Sequence, residues 1–187
     1  MRKLFVVPVL LLPALCPASG RGDLEIVLGG GAWVPTGSDF GTSLTAGPAV
    51  AAGLQIPMFE QNCIFLRTGY RSAGSDSAAW DGVACIPFEL GYRAYPLYRR
   101  YAGPRGLEPF AGLAAGGFVA WDSPVVGDRT TAGGVMISAE LGARIRVGEE
   151  TYFDFFFSPE WLPLGRDLAG EGDLSGLTVG GLLSFVP

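Results

Sequence analysis

From Asp23 onward apolar and polar residues alternate with a period of two, and clusters of Gly, Pro, Asp and Ser divide the alternation into eight segments. They fall at about 23–35, 43–57, 62–72, 80–95, 107–121, 132–148, 151–162 and 174–186. Successive side chains of a strand point to opposite faces, so each segment reads as a β-strand with one apolar and one polar face. The sixth is the clearest: Val135, Ile137, Ala139, Leu141, Ala143, Ile145 and Val147 alternate with Met136, Ser138, Glu140, Gly142, Arg144 and Arg146. The seventh sets Phe153, Phe155, Phe157 and Trp161 against Tyr152, Asp154, Ser158 and Glu160. The third opposes Ile64, Leu66 and Tyr70 to Arg67, Gly69 and Arg71, and the fourth opposes Ile86, Phe88, Leu90 and Tyr92 to Glu89, Gly91 and Arg93. No linker or shift of composition interrupts the series, which predicts a single all-β domain.

Alternation alone does not say which face is inside. A secreted soluble barrel of the lipocalin type, binding an apolar ligand, buries the apolar set, whereas a membrane barrel turns it outward. The polar faces favour the second arrangement. Besides charges they carry Gly29, Gly31, Gly47, Ala49, Ala51, Gly53, Gly112, Ala114, Gly116, Gly176 and Gly180, small residues that suit a narrow bore crossed by long side chains. Their charges also balance: Glu25, Glu89, Glu140, Asp154 and Glu160 share a face with Arg67, Arg71, Arg93, Arg144 and Arg146. A closed bore requires near neutrality, because unpaired buried charge is costly, and favours guanidinium groups that bridge several carboxylates. The expected fold is an eight-stranded antiparallel up-and-down transmembrane β-barrel, with those ten side chains as a charge network in its lumen.

With the first strand running outward, the external connections are Thr36–Thr42, Arg71–Ala79, Asp122–Thr131 and Pro163–Asp173. Two inner connections, Met58–Gln61 and Gly148–Glu150, are short, while Leu97–Gly106 is long and carries Arg99, Arg100 and Arg105. Trp33, Trp80, Trp121 and Trp161 fall at outer strand ends, and Tyr92, Tyr95, Tyr98, Tyr101 and Tyr152 near inner ends, as expected for aromatics at the two membrane interfaces. Trp33 has inward parity, and its interface placement requires a bulge near Gly29–Gly31.

Arg2 and Lys3 precede an apolar run from Leu4 to Leu15, followed by the small residues Ala18 and Gly20, which reads as an export signal over residues 1–20 with the barrel over 21–187. The run is shorter than the roughly 20 residues of a spanning helix. Its removal takes the formal charge from −5 to −7 by subtracting Arg2 and Lys3, leaves no Lys, and makes nucleic acid an improbable partner. Cys63 and Cys85 then remain, placed at different heights and expected as separate thiols.

The stretch Phe88-Glu-Leu-Gly-Tyr-Arg-Ala-Tyr-Pro-Leu-Tyr98, followed by Leu107-Glu-Pro-Phe-Ala-Gly-Leu-Ala-Ala-Gly-Gly-Phe118, resembles strands four and five of the OmpA-like and opacity-type outer-membrane barrels. Pro109, Phe110, Gly112 and Gly116 match the pattern entering strand five in those families, with Ala114 at its middle position. The segment Gly176–Phe185 looks like their closing strand, in which Phe185 is the assembly signal read by the barrel-assembly machinery. The resemblance implies location in a bacterial outer membrane, outer-membrane lipid as solvent, and periplasmic chaperones during biogenesis.

Catalysis finds little support. The chain contains no His, which removes every His-dependent nucleophile or base, and Glu89 and Glu140 have Arg neighbours expected to hold them ionised as structural partners. The Gly-rich runs lack the Lys-Ser/Thr of a phosphate loop, and nothing implies a cofactor or a resident metal. A small pore is the alternative, weakened because eight strands leave a bore that side chains fill. Asp39, Asp76, Asp81, Asp122, Asp128, Asp167, Glu171 and Asp173, against Arg129 and Arg166, give the outer connections an acidic rim. Such a rim suits divalent cations or an unknown basic extracellular ligand.

Overall fold

The computed structural model describes residues 24–37, 43–59, 61–96 and 106–187. The export signal, Asp39, Tyr98, Arg99, Arg100, Tyr101 and Arg105 lie outside them.

Eight long strands close into an antiparallel barrel: β1 (Glu25–Pro35), β2 (Gly47–Phe59), β3 (Asn62–Gly74), β4 (Trp80–Ala94), β5 (Leu107–Pro124), β6 (Thr131–Arg146), β7 (Thr151–Trp161) and β10 (Gly176–Phe185). Their order around the barrel is β1-β10-β7-β6-β5-β4-β3-β2, so every chain neighbour pairs and the last strand closes on the first, with Ile26 opposite Phe185. Two short strands, β8 (Pro163–Leu168) and β9 (Glu171–Asp173), form a separate hairpin between β7 and β10. We call the end carrying Glu25 and Phe185 the inner end and the opposite one the outer end.

The faces are arranged as the polar residues require. Leu28, Val50, Leu66, Leu90, Leu113, Leu141, Phe155 and Leu183, one from each barrel strand, are exposed, while Glu25, Arg67, Glu89, Arg93, Glu140, Arg144 and Asp154 are buried. This is the inverse of a lipocalin-type soluble barrel. So wide an apolar belt far exceeds the patches that water-soluble monomers expose.

Inside, large and small side chains alternate across the ladders. The Phe65 ring lies over Gly91 and the Phe110 ring over Gly142, each at a place a Cβ would fill. Aromatic side chains thus take the volume that neighbouring glycines vacate, and they present ring faces to the charges: the Arg93 guanidinium carbon stands 4.1 Å from the Phe110 ring centre.

The connection Pro163–Asp173, expected as an external connection without strands of its own, is folded into a hairpin. Leu168 opposes Glu171 around Ala169 and Gly170, whose φ angles are 51° and 82°. Two successive residues of positive φ make the tight turn whose twist suits a hairpin. The hairpin carries Leu168 and Ala169 inward, flanked by Leu162 and Leu174, and these four pack with Trp33, Val83, Cys85, Phe118 and Met136 in one buried apolar cluster. Burying each leucine contributes roughly 2 kcal/mol, enough together to hold a short hairpin down.

Trp33 belongs to this cluster and is 0% exposed. Its strand pairs without a register break from Ile26 to Pro35, so no bulge turns it toward the membrane and its inward parity stands. Cys85 sits in the same cluster and Cys63 in a second one near the inner end; both thiols are free and buried.

Candidate functional site

The bore is the part of the molecule where chemistry-bearing side chains converge. Parity sends the odd residues of β1, β3 and β4 and the even residues of β6 and β7 inward, and strand length sets the height of each. Nine of the ten charged residues expected in the lumen meet there through eight ion pairs, and the pairs form one unbranched alternating chain. At the inner end Glu25 accepts from Arg144 at 3.1 Å. Arg144 also reaches Asp154 at 2.7 Å, and Asp154 accepts from Arg93 at 2.6 Å. Arg93 donates to Glu140 at 2.7 Å, Glu140 accepts from Arg67 at 2.8 Å, and Arg67 donates to Glu89 at 2.6 Å. Glu89 accepts from Arg71 at 2.9 Å, and Arg71 ends the chain on Glu160 near the outer end. Every guanidinium thus bridges two carboxylates, and its planar fork of five N–H donors fixes the direction of each bond, as the three rotatable donors of a lysine ammonium would not.

Polar neighbours complete the inner half. Gln55 donates to Glu25 at 3.2 Å and to the Tyr95 hydroxyl at 3.3 Å, and its carbonyl accepts from Arg93 at 3.3 Å. The Ser184 hydroxyl accepts from Arg144 at 3.2 Å. Sequence reasoning passed over Gln55 and Ser184, although both have inward parity.

Arg146 is the tenth expected member and stands apart. It is exposed, and it donates to the backbone oxygens of Gly148 and Glu149 in the β6–β7 turn. Its parity is inward and it stands opposite Tyr152, but its guanidinium folds onto the turn backbone and does not enter the chain. The lumen therefore holds five acids and four arginines in the chain, not five of each.

Of the expected interface aromatics, Tyr92 and Trp161 are exposed on the outer surface. Trp121 faces outward beside Tyr70, with ring centres 6.3 Å apart, and Arg129 stacks over it at 5.8 Å. Trp80 is half-buried and packs against the buried outer cluster, next to the register shift between Trp80 and Gly82. Tyr152 faces the bore, not lipid: the Arg144 guanidinium lies 4.9 Å from its ring centre, and Tyr95 likewise lies inside. Phe185 ends the closing strand between Thr151 and Ile26.

The outer acids do not form one rim. Asp122 is buried, and it accepts from the backbone N–H of Thr130 at 2.7 Å and of Ala169 at 3.5 Å. Glu171 accepts from the Ser43 backbone and hydroxyl at 2.9 and 3.0 Å, and Asp173 accepts from the Ser175 N–H at 2.6 Å. Asp122 and Glu171 thus tie the β8–β9 hairpin to β5 and to the segment before β2, while the Asp173 bond is local to the turn after β9. Asp76, Asp81, Asp128 and Asp167 are exposed. Among the described residues no group of three or more His, Cys, Asp or Glu is placed to hold a metal ion.

A closed eight-stranded antiparallel barrel is the fold of the small outer-membrane barrels. Neisserial surface protein A has it, with a TM-score of 0.64 at 9% identity over 87% of this chain and 96% of that one. The N-terminal β-barrel domain of Pseudomonas aeruginosa OprF gives 0.52 at 11% identity, over 88% and 98% of the two chains. Ail, the attachment invasion locus protein of Yersinia pestis, crystallised with the heparin analogue sucrose octasulfate, gives 0.55 at 13% identity over 88% and 99%. No protein-family model matches the sequence, and no curated protein does.

Proposed function

We propose that the protein is a structural component of a bacterial outer membrane whose bore is plugged and whose outer connections form its working surface. The observation that carries this reading is the combination of an exposed apolar belt on all eight barrel strands with a bore crossed by a continuous chain of ion pairs. Acyl chains solvate the first, and the second supports a bore filled by side chains, as expected of eight strands. The β8–β9 hairpin and its apolar cluster add a second obstruction at the outer end. Insertion uses the barrel-assembly machinery and periplasmic chaperones, with Phe185 at the end of the closing strand as the recognised aromatic. No enzymatic role is assigned, since the sequence has no His and the buried carboxylates are held by arginines.

The test has two parts. Purified protein in detergent shifts its gel migration on heating, as closed barrels do, and gives no reproducible unitary openings in a planar bilayer. Steady large conductance from the monomer would overturn the plugged bore.

The surface role rests on the exposed Asp76, Asp81, Asp128 and Asp167, and on Val125 and Val126 at the tip of the β5–β6 connection, the latter 89% exposed. A basic extracellular ligand fits that chemistry better than a polyanion. Whole-cell binding should fall when the four aspartates are changed to Asn; unchanged binding removes this role.

A further inference from the structure

An alternating chain of charges that begins and ends on a carboxylate has one acid too many. Here the termini are Glu25 and Glu160, each with one arginine where every interior carboxylate has two. At the inner terminus Glu25 gains the Gln55 amide. At the outer terminus Glu160 has a second oxygen, Oε1, that is buried and unpartnered. The remaining described arginines, Arg129, Arg146 and Arg166, are exposed at the barrel rims and bring it no charge.

Two oxygen ligands lie beside this orphan. Ser158 is two residues from Glu160 on the same face of β7, Thr178 is the cross-strand partner of Ser158 on β10, and the hydroxyls of both are buried and unpartnered. Ser158, Thr178 and Glu160 are 0, 4 and 6% exposed. Trp33 on β1 pairs with Thr178 and holds its unpartnered Nε1 above Gly176, the residue opposite Glu160. Four orphaned polar groups thus share neighbouring inward positions of β1, β7 and β10 around the carboxylate that ends the chain.

We propose that this is a binding site for a monovalent metal cation of sodium or potassium size, coordinated by Glu160 Oε1 and the Ser158 and Thr178 hydroxyls. One spare charge calls for one positive charge, which sets the ion's valence. The hydroxyls turn their lone pairs to it, and a water of its shell accepts from Trp33 Nε1. Arg71, on the other oxygen of Glu160, is shared with Glu89 and leaves the carboxylate under-compensated. The ion extends the alternation by one member and makes the chain neutral. The site rests on the filled bore of the proposed function but not on any surface role.

The test uses the full folded protein in detergent. Unfolding at a fixed temperature is followed by heat-modifiable migration in NaCl, KCl or N-methylglucamine chloride of equal ionic strength. The expected result is a half-life at least about threefold longer in the small cations, because an ion bound only to the folded state stabilises it by mass action. Glu160→Gln abolishes the ratio, and Thr178→Val, which keeps the shape and removes the ligand, reduces it. Equal wild-type half-lives in all three salts, or a full ratio retained in either variant, overturn the proposal. Should Glu160→Gln not fold, the wild type and Thr178→Val still decide. Thallium-soaked crystals give an independent reading: an anomalous peak at Glu160 supports the site, and its absence there refutes it. Conductance measurements report on the filled bore separately, so failure of the ion site and failure of that reading are distinguishable.

Discussion

Arg93 stands at the middle of the charge chain, and replacing it with Met tests whether the chain stabilises the barrel. The side chain is 1% exposed and donates to Glu140 at 2.7 and 3.0 Å, to Asp154 at 2.6 Å, and to Gln55 and Tyr95 at 3.3 and 3.4 Å. Methionine retains most of the aliphatic stem and removes the charge, together with the guanidinium that stacks on Phe110. The chain then splits into Glu160-Arg71-Glu89-Arg67-Glu140 and Asp154-Arg144-Glu25, each with one excess acid. Removing one partner from a buried pair costs about 3–5 kcal/mol. Glu140 and Asp154 each keep one arginine, which places the expected loss near the lower figure, on the order of a hundredfold in the folding constant. The assay is a urea titration of the protein in lipid vesicles, read by tryptophan fluorescence and by gel migration. Arg146→Met, which removes an exposed charge from the turn, should cost less than about 0.5 kcal/mol. Arg93→Met with Glu140→Gln should cost less than the sum of the single changes, since it restores the original excess of one acid. A loss below about 1 kcal/mol for Arg93→Met, or equal losses for Arg93 and Arg146, would refute the reasoning.

Three further outcomes are expected. Gly91→Ala drives a Cβ into the Phe65 ring and should cost about 1–3 kcal/mol in the same titration, with no change in topology. Leu168→Asp places a charge in the apolar cluster under the hairpin; trypsin should then cut the folded protein after Arg166, a site resistant in the wild type, while heat-modifiable migration persists. Cys63 and Cys85, both buried and free, should resist maleimide in the folded barrel and react in urea, and non-reducing gels should show no disulfide.

The barrel strands were legible because a two-residue period survives in every one of them, and the orientation was legible because glycines and alanines share a face with arginines. The course of a side chain was not. Alternation gives the side of a residue but not where a long side chain turns near a strand end, so Arg146 read as a lumen charge although its guanidinium folds onto the β6–β7 turn. Residue type misled where it was set against parity: Trp33, Tyr95 and Tyr152 are aromatic near strand ends, and all three follow their parity into the bore. The β8–β9 hairpin was invisible because Leu162, Leu164, Leu168 and Leu174 are spaced irregularly among Gly, Pro and Asp, and their burial comes from the barrel mouth beneath them. The linear order of the ion pairs depends on which strands face one another across the bore, which no local pattern carries.

The chain of charges has a bearing on how the barrel is made. Its nine members come from β1, β3, β4, β6 and β7, and its innermost link joins the first strand to the sixth. A sheet still open at the seam would leave Arg144 without Glu25 and expose the other acids to solvent. The links Arg67–Glu89, Arg71–Glu89 and Arg144–Asp154 join neighbouring strands and can form in an open sheet, but the unbroken strut exists only in the finished cylinder, and its completion rewards the final act of closure.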